Sequence, residues 1–195
     1  YGKKHFFYKI DLSKKEKLQT SLEDISKNHQ DLSVIVNNAG TTHDSLIFRM
    51  KNEHWSNIIQ TNLTSNYQII KSLLPNMLSN KKGSIIGISS IVGSTGNPGQ
   101  ANYVASKSGL VGLYKSIALE VAKRNIKVNI ISPGFISTSM TENLNDDQKN
   151  NYLSRIPMMR FGKPEDVANL VYFLSTDDSS YITGQNFHVN GGMLM

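Results

Sequence analysis

Short apolar runs fall at residues 6–10, 32–36, 84–89, 128–132 and 185–190. Runs of this length, bounded by turn residues, predict strands, and the continuous ones suit a parallel sheet buried on both faces. A different rhythm fills the intervals. Trp55, Ile58, Ile59, Leu63, Ile69, Ile70, Leu73 and Leu74 recur at helical spacing and predict one long helix from about 53 to 80. Pro75 should kink or interrupt it. Leu110, Leu113, Ile117 and Val121 form the stripe of a second helix over 102–123. Val167, Leu170, Val171 and Leu174 mark a third, which begins at Pro164, a residue suited to the first turn. Ser13-Lys14-Lys15-Glu16 has the capping-box pattern and starts a helix through about 28.

Strands alternating with helices predict a doubly wound α/β sheet with right-handed crossovers. At 195 residues the chain is long enough for one well-buried domain and too short for two ordinary ones. It holds no cysteine, which excludes disulfides and thiolate metal sites. No apolar run approaches the roughly 20 residues of a membrane-spanning helix. The histidines at 5, 29, 43, 54 and 188 have no metal-ligand spacing on one element and read as structural, so no catalytic metal is expected.

The net charge of +6 raises nucleic acid as a partner. The lysines are scattered among acidic residues, however, with no aromatic-interleaved basic stripe, so no nucleic-acid partner is expected. Modest basicity would instead favour an acidic partner through electrostatic steering.

The candidate chemistry lies between Ser89 and Lys107. Tyr103-Val-Ala-Ser-Lys107 puts a phenol and an ammonium on one helix face, about 5–6 Å apart at Cβ. Ser89 and Ser90 stand at the end of a strand before them, across a loop of Gly93, Gly96, Pro98 and Gly99. A free tyrosine titrates near pH 10, so a nearby ammonium is needed to tune it for proton exchange with a carbonyl or alcohol oxygen at neutral pH. The serine hydroxyl can hold the same oxygen. A bare Tyr-x-x-x-Lys is short and common, and on its own reads as a half-buried tyrosine beside a solvated lysine.

The surrounding motifs change that reading. Asn37-Asn38-Ala39-Gly40 follows a strand, Asn62 lies in a helix, and Pro133-Gly134 follows another strand. With Ser90, Tyr103 and Lys107, their order and spacing resemble the short-chain dehydrogenase/reductase family along the whole chain. Gly96-Asn-Pro-Gly-Gln-Ala-Asn-Tyr103, Tyr181-Ile-Thr-Gly184 and His188-Val-Asn-Gly-Gly192 resemble its bacterial 3-oxoacyl-acyl-carrier-protein reductases in particular. The family's glycine-rich TGxxxGxG loop is absent, as is the strand–helix–strand that should lead into Tyr1. The resemblance therefore implies a single Rossmann-like domain lacking roughly fifty residues of about 250.

The resemblance implies NADPH-dependent reduction of a 3-oxoacyl thioester on acyl carrier protein, in fatty-acid elongation in the cytoplasm, by a homotetramer joined partly through the helix over 102–123. Tyr103 would protonate the oxygen and Ser90 orient it. Lys107 would lower the Tyr103 pKa and bind the ribose, and Asn62 would hold a water that relays protons. Asp11 and Leu12 would meet the adenine, although Asp11 also reads as a turn carboxylate. Asn38, Ala39 and Gly40 would flank the ribose, and Pro133, Gly134, Ile136 and Thr138 the nicotinamide. Residues 139–160 would form a lid, with Met158 and Met159 able to meet an acyl chain. Lys81, Lys82 and Arg124 are candidates for carrier-protein docking near the rim of the site. Two other readings stay open. The same chemistry could serve a sugar, steroid or CoA-linked ketone. The 195-residue chain could also be a catalytically silent remnant or interaction subunit, since the dinucleotide's pyrophosphate normally rests on a helix amino terminus that this sequence does not show.

Overall fold

The structure is a computed structural model that describes residues 5–137 and 145–195. Four strands form one sheet in the order β1-β2-β3-β4, and every pairing is parallel. They are β1 (Val34–Asn37), β2 (Gly83–Ile88), β3 (Ile126–Pro133) and β4 (Asn186–Val189). Sequence order equals spatial order, so each connection is a crossover carried by helices. These are α1 (Lys15–Asn28), α2 (Asn52–Ile59), α3 (Ser65–Asn80), α4 (Val92–Thr95), α5 (Ala101–Val121), α6 (Asp146–Leu153) and α7 (Pro164–Ser175).

The pleat divides the core in two. Ile35, Ile85, Val128 and Ile130 face α1, α3 and α5 through Leu18, Leu73, Met77, Leu110 and Tyr114. Ile86 and Ile131 point the other way, onto Leu174 of α7. Helices therefore cover both faces, as a doubly wound sheet requires. The second layer stops short of β1, where Val34 and Val36 remain exposed.

Residues 6–10 are not a strand, contrary to the apolar pattern. A strand needs a neighbour for its backbone, and no described strand lies beside this segment. Phe6 and Phe7 are 65% and 89% exposed. The Tyr8 hydroxyl meets His29 Nε2 at 2.9 Å, and the Phe6 ring stands edge-on to the same imidazole. The capping box expected at Ser13 is also replaced. Asp11 Oδ1 accepts from the Ser13 amide (2.9 Å) and hydroxyl (2.7 Å), so Asp11 makes the turn into α1. These bonds hold the Asp11 carboxyl below its ordinary pKa.

Pro75 does not interrupt α3, which runs through it to Asn80. Positions 71 and 75 are exposed, so the carbonyl that loses its helical donor faces water. The disturbance in the long helix lies further back, where Gln60–Thr64 forms a π-helical turn between α2 and α3. Such turns are rare and concentrate at functional sites.

Candidate active site

Parallel strands end in register, so their carboxyl ends collect the polar residues that follow them. Ser89 and Ser90 leave β2, Asn38, Ala39 and Gly40 leave β1, and Gly134 to Ser137 leave β3. The Ile91 amide donates to the Pro133 carbonyl at 2.9 Å, which ties the β2 exit to the β3 exit. Helix α5 then packs its amino-terminal half beneath the β2 exit.

Tyr103 and Ser90 lie near enough for the Ser90 hydroxyl to draw the Tyr103 pKa down. Lys107 lies one helical turn on, 3% exposed, and its Nζ donates to the Ile88 carbonyl at 2.8 Å. It sits 5.6 Å from the Tyr103 ring centroid. Ser89 Oγ donates to the Lys107 carbonyl at 2.9 Å and fixes the same turn of α5 to the strand. The expected lowering of the Tyr103 pKa by Lys107 is not what this geometry gives. Burial pushes the phenol up, the Asp44 carboxylate pushes it the same way, and the Ser90 hydroxyl pulls it down. Burial also drops Lys107 to about 8. At neutral pH the pair is thus a neutral phenol beside an ammonium, poised to give a proton away.

Asn62 is fully buried, which excludes a solvent-facing role. Its Oδ1 accepts from the Thr41 amide (2.9 Å), and its Nδ2 donates to the Thr41 carbonyl (2.8 Å) and Ser106 Oγ (3.2 Å). The π-turn frees its carbonyl from the regular ladder, and Asn66 Nδ2 donates to it at 2.9 Å. A Cβ on Gly40 would lie 3.3 Å from Lys107 Nζ and 3.4 Å from Asn62 Oδ1. Gly40, Asn62 and Lys107 therefore converge on one point at the β1 exit.

The surrounding polar network went unread in the sequence. Ser106 Oγ donates to the Tyr103 carbonyl at 2.7 Å and receives Asn62. Asn102 Nδ2 donates to the His43 carbonyl at 3.1 Å, which anchors the loop carrying Asp44. Tyr114 accepts from Asn37 Nδ2 (2.8 Å) and donates to Asn66 Oδ1 (2.9 Å). The usable signal was spacing. Asn62 and Asn66, like Asn102 and Ser106, are polar pairs four apart, a separation that shares one helix face.

The remaining candidates divide. Leu12 lies on the Asn62 side of the fold, with its carbonyl accepting from Gln60 Nε2 at 3.4 Å. Ile136 bridges to Gly162 beyond β3. Thr138 and part of the expected lid lie outside the described residues. Lys81, Lys82 and Arg124 are not at the rim. They precede β2 and β3, at the amino ends of the strands, about 20 Å from the carboxyl ends at the rise of a six-residue strand. Lys82 pairs there with Asp177 at 3.6 Å. No group of His, Cys, Asp or Glu able to hold a metal occurs among the described residues, and none of their helices is long and apolar enough to cross a membrane.

A parallel α/β sheet whose carboxyl edge gathers a serine, a tyrosine and a buried lysine defines a class: nucleotide-binding folds built for proton exchange with a bound oxygen. A family model described as enoyl-(acyl carrier protein) reductase matches residues 1–194. A 3-oxoacyl-(acyl-carrier-protein) reductase FabG of Haemophilus influenzae is 51% identical over 186 residues, covering 95% of this chain and 77% of the relative. Those of Buchnera aphidicola and Staphylococcus epidermidis are 47% and 45% identical, each covering 100% of this chain and 80% of the relative. The chain belongs to the short-chain dehydrogenase/reductase family.

Members of that family take a nicotinamide cofactor. The residues present fit its ribose and nicotinamide half. Asn38, Ala39 and Gly40 leave an exposed, small-residue exit beside Lys107 Nζ. Gly134 lies against Asn190, where a Cβ would come within 2.8 Å, so the β3 exit stays close to the sheet.

Proposed function

We propose that the protein reduces a 3-oxoacyl thioester carried on acyl carrier protein to the 3-hydroxyacyl thioester, with NADPH as reductant. The observation that carries this reading is the gathering of Ser90, Tyr103 and a buried Lys107 at the carboxyl end of β2. The family description and the relatives' names differ over the bond reduced, a carbon–carbon double bond in one and a ketone in the other. Two hydroxyls that meet at one point suit an oxygen, and therefore a ketone.

When bound, the cofactor supplies the hydride to the 3-oxo carbon. The chain's own residues handle the oxygen. Ser90 donates to it and fixes its direction. Tyr103 is kept protonated by burial and passes its phenolic proton to the oxygen as charge develops there. Lys107 stabilises the resulting phenolate as an ammonium and binds the ribose hydroxyls. Asn62 positions the Thr41 backbone at the β1 exit, and its π-turn opens a path for a relay water to Lys107. Asp11 and Leu12 hold the adenine. Asn38, Ala39 and Gly40 hold the ribose. Pro133, Gly134, Ile136 and Thr138 hold the carboxamide.

The protein works as a cytoplasmic homotetramer in this reading. Helix α5 supports it with a stripe that its own subunit leaves open: nothing lies within 4 Å of a Cβ on Gly112, and Leu119, seven residues on, is 84% exposed. Gly109 serves its own subunit instead, since a Cβ there would meet Leu63 at 2.8 Å. Lys81, Lys82 and Arg124 are offered to the acidic carrier as a basic surface at the amino ends of β2 and β3.

The test is oxidation of NADPH with an acetoacetyl thioester, with Tyr103→Phe as control. Turnover that falls by about 100-fold or more in the variant supports the proposal. Turnover of a crotonyl thioester but not the acetoacetyl one would reject it in favour of double-bond reduction. Charge reversal at Lys81, Lys82 and Arg124 should raise KM for the carrier-bound substrate and not for the CoA thioester.

A further inference from the structure

The loop after β1 and the loop before α5 run side by side, and hydrogen bonds tie them together. The Ser45 amide donates to the Gly99 carbonyl at 2.7 Å, and Asn102 Nδ2 to the His43 carbonyl at 3.1 Å. Gln100 Nε2 donates to Asp44 Oδ2 at 2.9 Å, while its Oε1 accepts from Asn97 Nδ2 at 3.0 Å, so this amide is fixed at both ends. Residues 41–45 are held on their far side as well. Asn62 bonds both the amide and the carbonyl of Thr41, and His43 stacks on His54 of α2 at 3.7 Å, with Glu53 3.5 Å from His54 Nε2. The segment is a strap from the π-turn to the first turn of α5.

The strap reaches Tyr103 through Asn102. That residue is fully buried, and its Oδ1 accepts from the Tyr103 amide at 2.7 Å while its Nδ2 holds His43. The backbone ties and the buried amide serve the fold as much as the site. The Asp44–Gln100 pair is different. Asp44 is exposed, and no Lys, Arg or His pairs with it among the described residues. Neither packing nor an ion pair accounts for a carboxylate here, yet its charge is felt by the Tyr103 phenol.

We propose that Asp44 is a positioning residue for the reaction, acting through Gln100 as a latch that locks the strap to the loop ahead of Tyr103 and so fixes the phenol towards the substrate oxygen. The proposal rests on the carbonyl-reduction reading above. The latch holds the phenol within the narrow geometry that proton transfer demands, where a misplacement of about 1 Å costs up to about 100-fold. The Asp44 charge also opposes a phenolate, in the same direction as burial, so the phenol keeps its proton until negative charge develops on the oxygen.

Three variants separate latch from charge. Asp44→Ala and Gln100→Ala each break the latch, while Asp44→Asn keeps an acceptor for Gln100 and removes the charge. Either alanine variant should lower kcat for an acetoacetyl thioester by about tenfold with KM within about twofold, and the double variant should be no slower than either alone. Asp44→Asn should recover kcat to within about threefold of the parent protein. Its Tyr103 phenol, read by ultraviolet difference titration against Tyr103→Phe, should titrate lower than the parent's, and salt should shrink the difference because Asp44 is exposed. A merely structural contact would leave that titration where it is. Losses that add in the double variant, or an Asp44→Asn as slow as Asp44→Ala, overturn the proposal. Hydrogen exchange of the Ser45 amide reads the latch without turnover. It should quicken by roughly fivefold in both alanine variants and not in Asp44→Asn. Unchanged exchange in the alanine variants, or faster exchange with an unaltered kcat, also overturns the proposal. If the parent turns over no thioester, exchange and titration that respond as stated support the latch and defeat the reductase reading alone.

Discussion

Lys107 and Tyr103 lie one helical turn apart, with Nζ 5.6 Å from the ring centroid, yet burial, not their mutual attraction, sets both pKa values. The phenol is pushed up and the ammonium down, each toward its neutral form. In the mechanism proposed above, this arrangement keeps its electrostatics for the moment when the phenol has given up its proton and a phenolate needs a cation beside it.

Replacement of Lys107 by methionine should therefore stabilise the fold at neutral pH while it abolishes activity. Lys107 falls from an ordinary 10.5 to about 8. The unfolded chain binds the extra proton between those values, so stability rises with pH across that window and the full penalty applies below it. The penalty is roughly 3 kcal/mol, offset in the variant by about 1–2 kcal/mol for leaving the Ile88 carbonyl without its donor. Urea unfolding should show Lys107→Met more stable by about 1–2 kcal/mol at pH 7, with the gain gone at pH 10.5. Lower stability at pH 7 would contradict this.

The reaction should carry the same signature. In the proposed mechanism ketone reduction needs a protonated Tyr103 and a charged Lys107, so kcat/KM should fall as pH rises through about 8. Ser90→Ala removes the one influence that lowers the Tyr103 pKa, so its phenol should titrate higher than in the parent protein. Ultraviolet difference titration against Tyr103→Phe reads that shift. A downward movement would mean that Ser90 does not bond the phenol.

Gly40 should be intolerant for a reason of chemistry, not folding. A Cβ there comes 3.3 Å from Lys107 Nζ and 3.4 Å from Asn62 Oδ1, tight contacts with polar ends. Gly40→Ala should cost about 1 kcal/mol or less in stability and at least about tenfold in kcat. Denaturant unfolding beside steady-state kinetics distinguishes this from a general loss of structure, in which both would collapse together.

Gly87 gives the opposite case. A Cβ on it would lie 2.5 Å from the Tyr114 ring, in the middle of β2. Gly87→Ala should destabilise by about 1–3 kcal/mol through overpacking. Tyr114→Phe should cost about 1–3 kcal/mol because Asn37 and Asn66 lose a buried partner. The two changes made together should cost less than their sum only if the ring itself shifts, which a double-mutant cycle measures.

Most of the sheet was legible because buried parallel strands read as bare apolar runs, as at 84–89. Residues 6–10 carry the same pattern and form no strand, since apolarity marks what is to be buried and a strand also requires a partner backbone. Asn62 was legible as an anomaly, an unfavourable residue in an apolar helix, but the π-turn that accommodates it was not. Ser106, Asn102 and Tyr114 were invisible for the converse reason. Each sits comfortably in a helix, and only the neighbouring chain reveals that its polar atom is spoken for. Lys81, Lys82 and Arg124 were placed at the rim although they precede the runs at 84–89 and 126–133, an order that already puts them at the amino ends of those strands, opposite the site.

The most direct test of the central claim is the pH dependence of acetoacetyl thioester reduction by the parent protein and by Tyr103→Phe. The structure predicts turnover in the parent that declines above about pH 8 as Lys107 loses its charge, and in the variant a rate lower by about 100-fold or more at every pH. A variant that keeps its rate would show that Tyr103 does not supply the proton, and the mechanism built on it would fall.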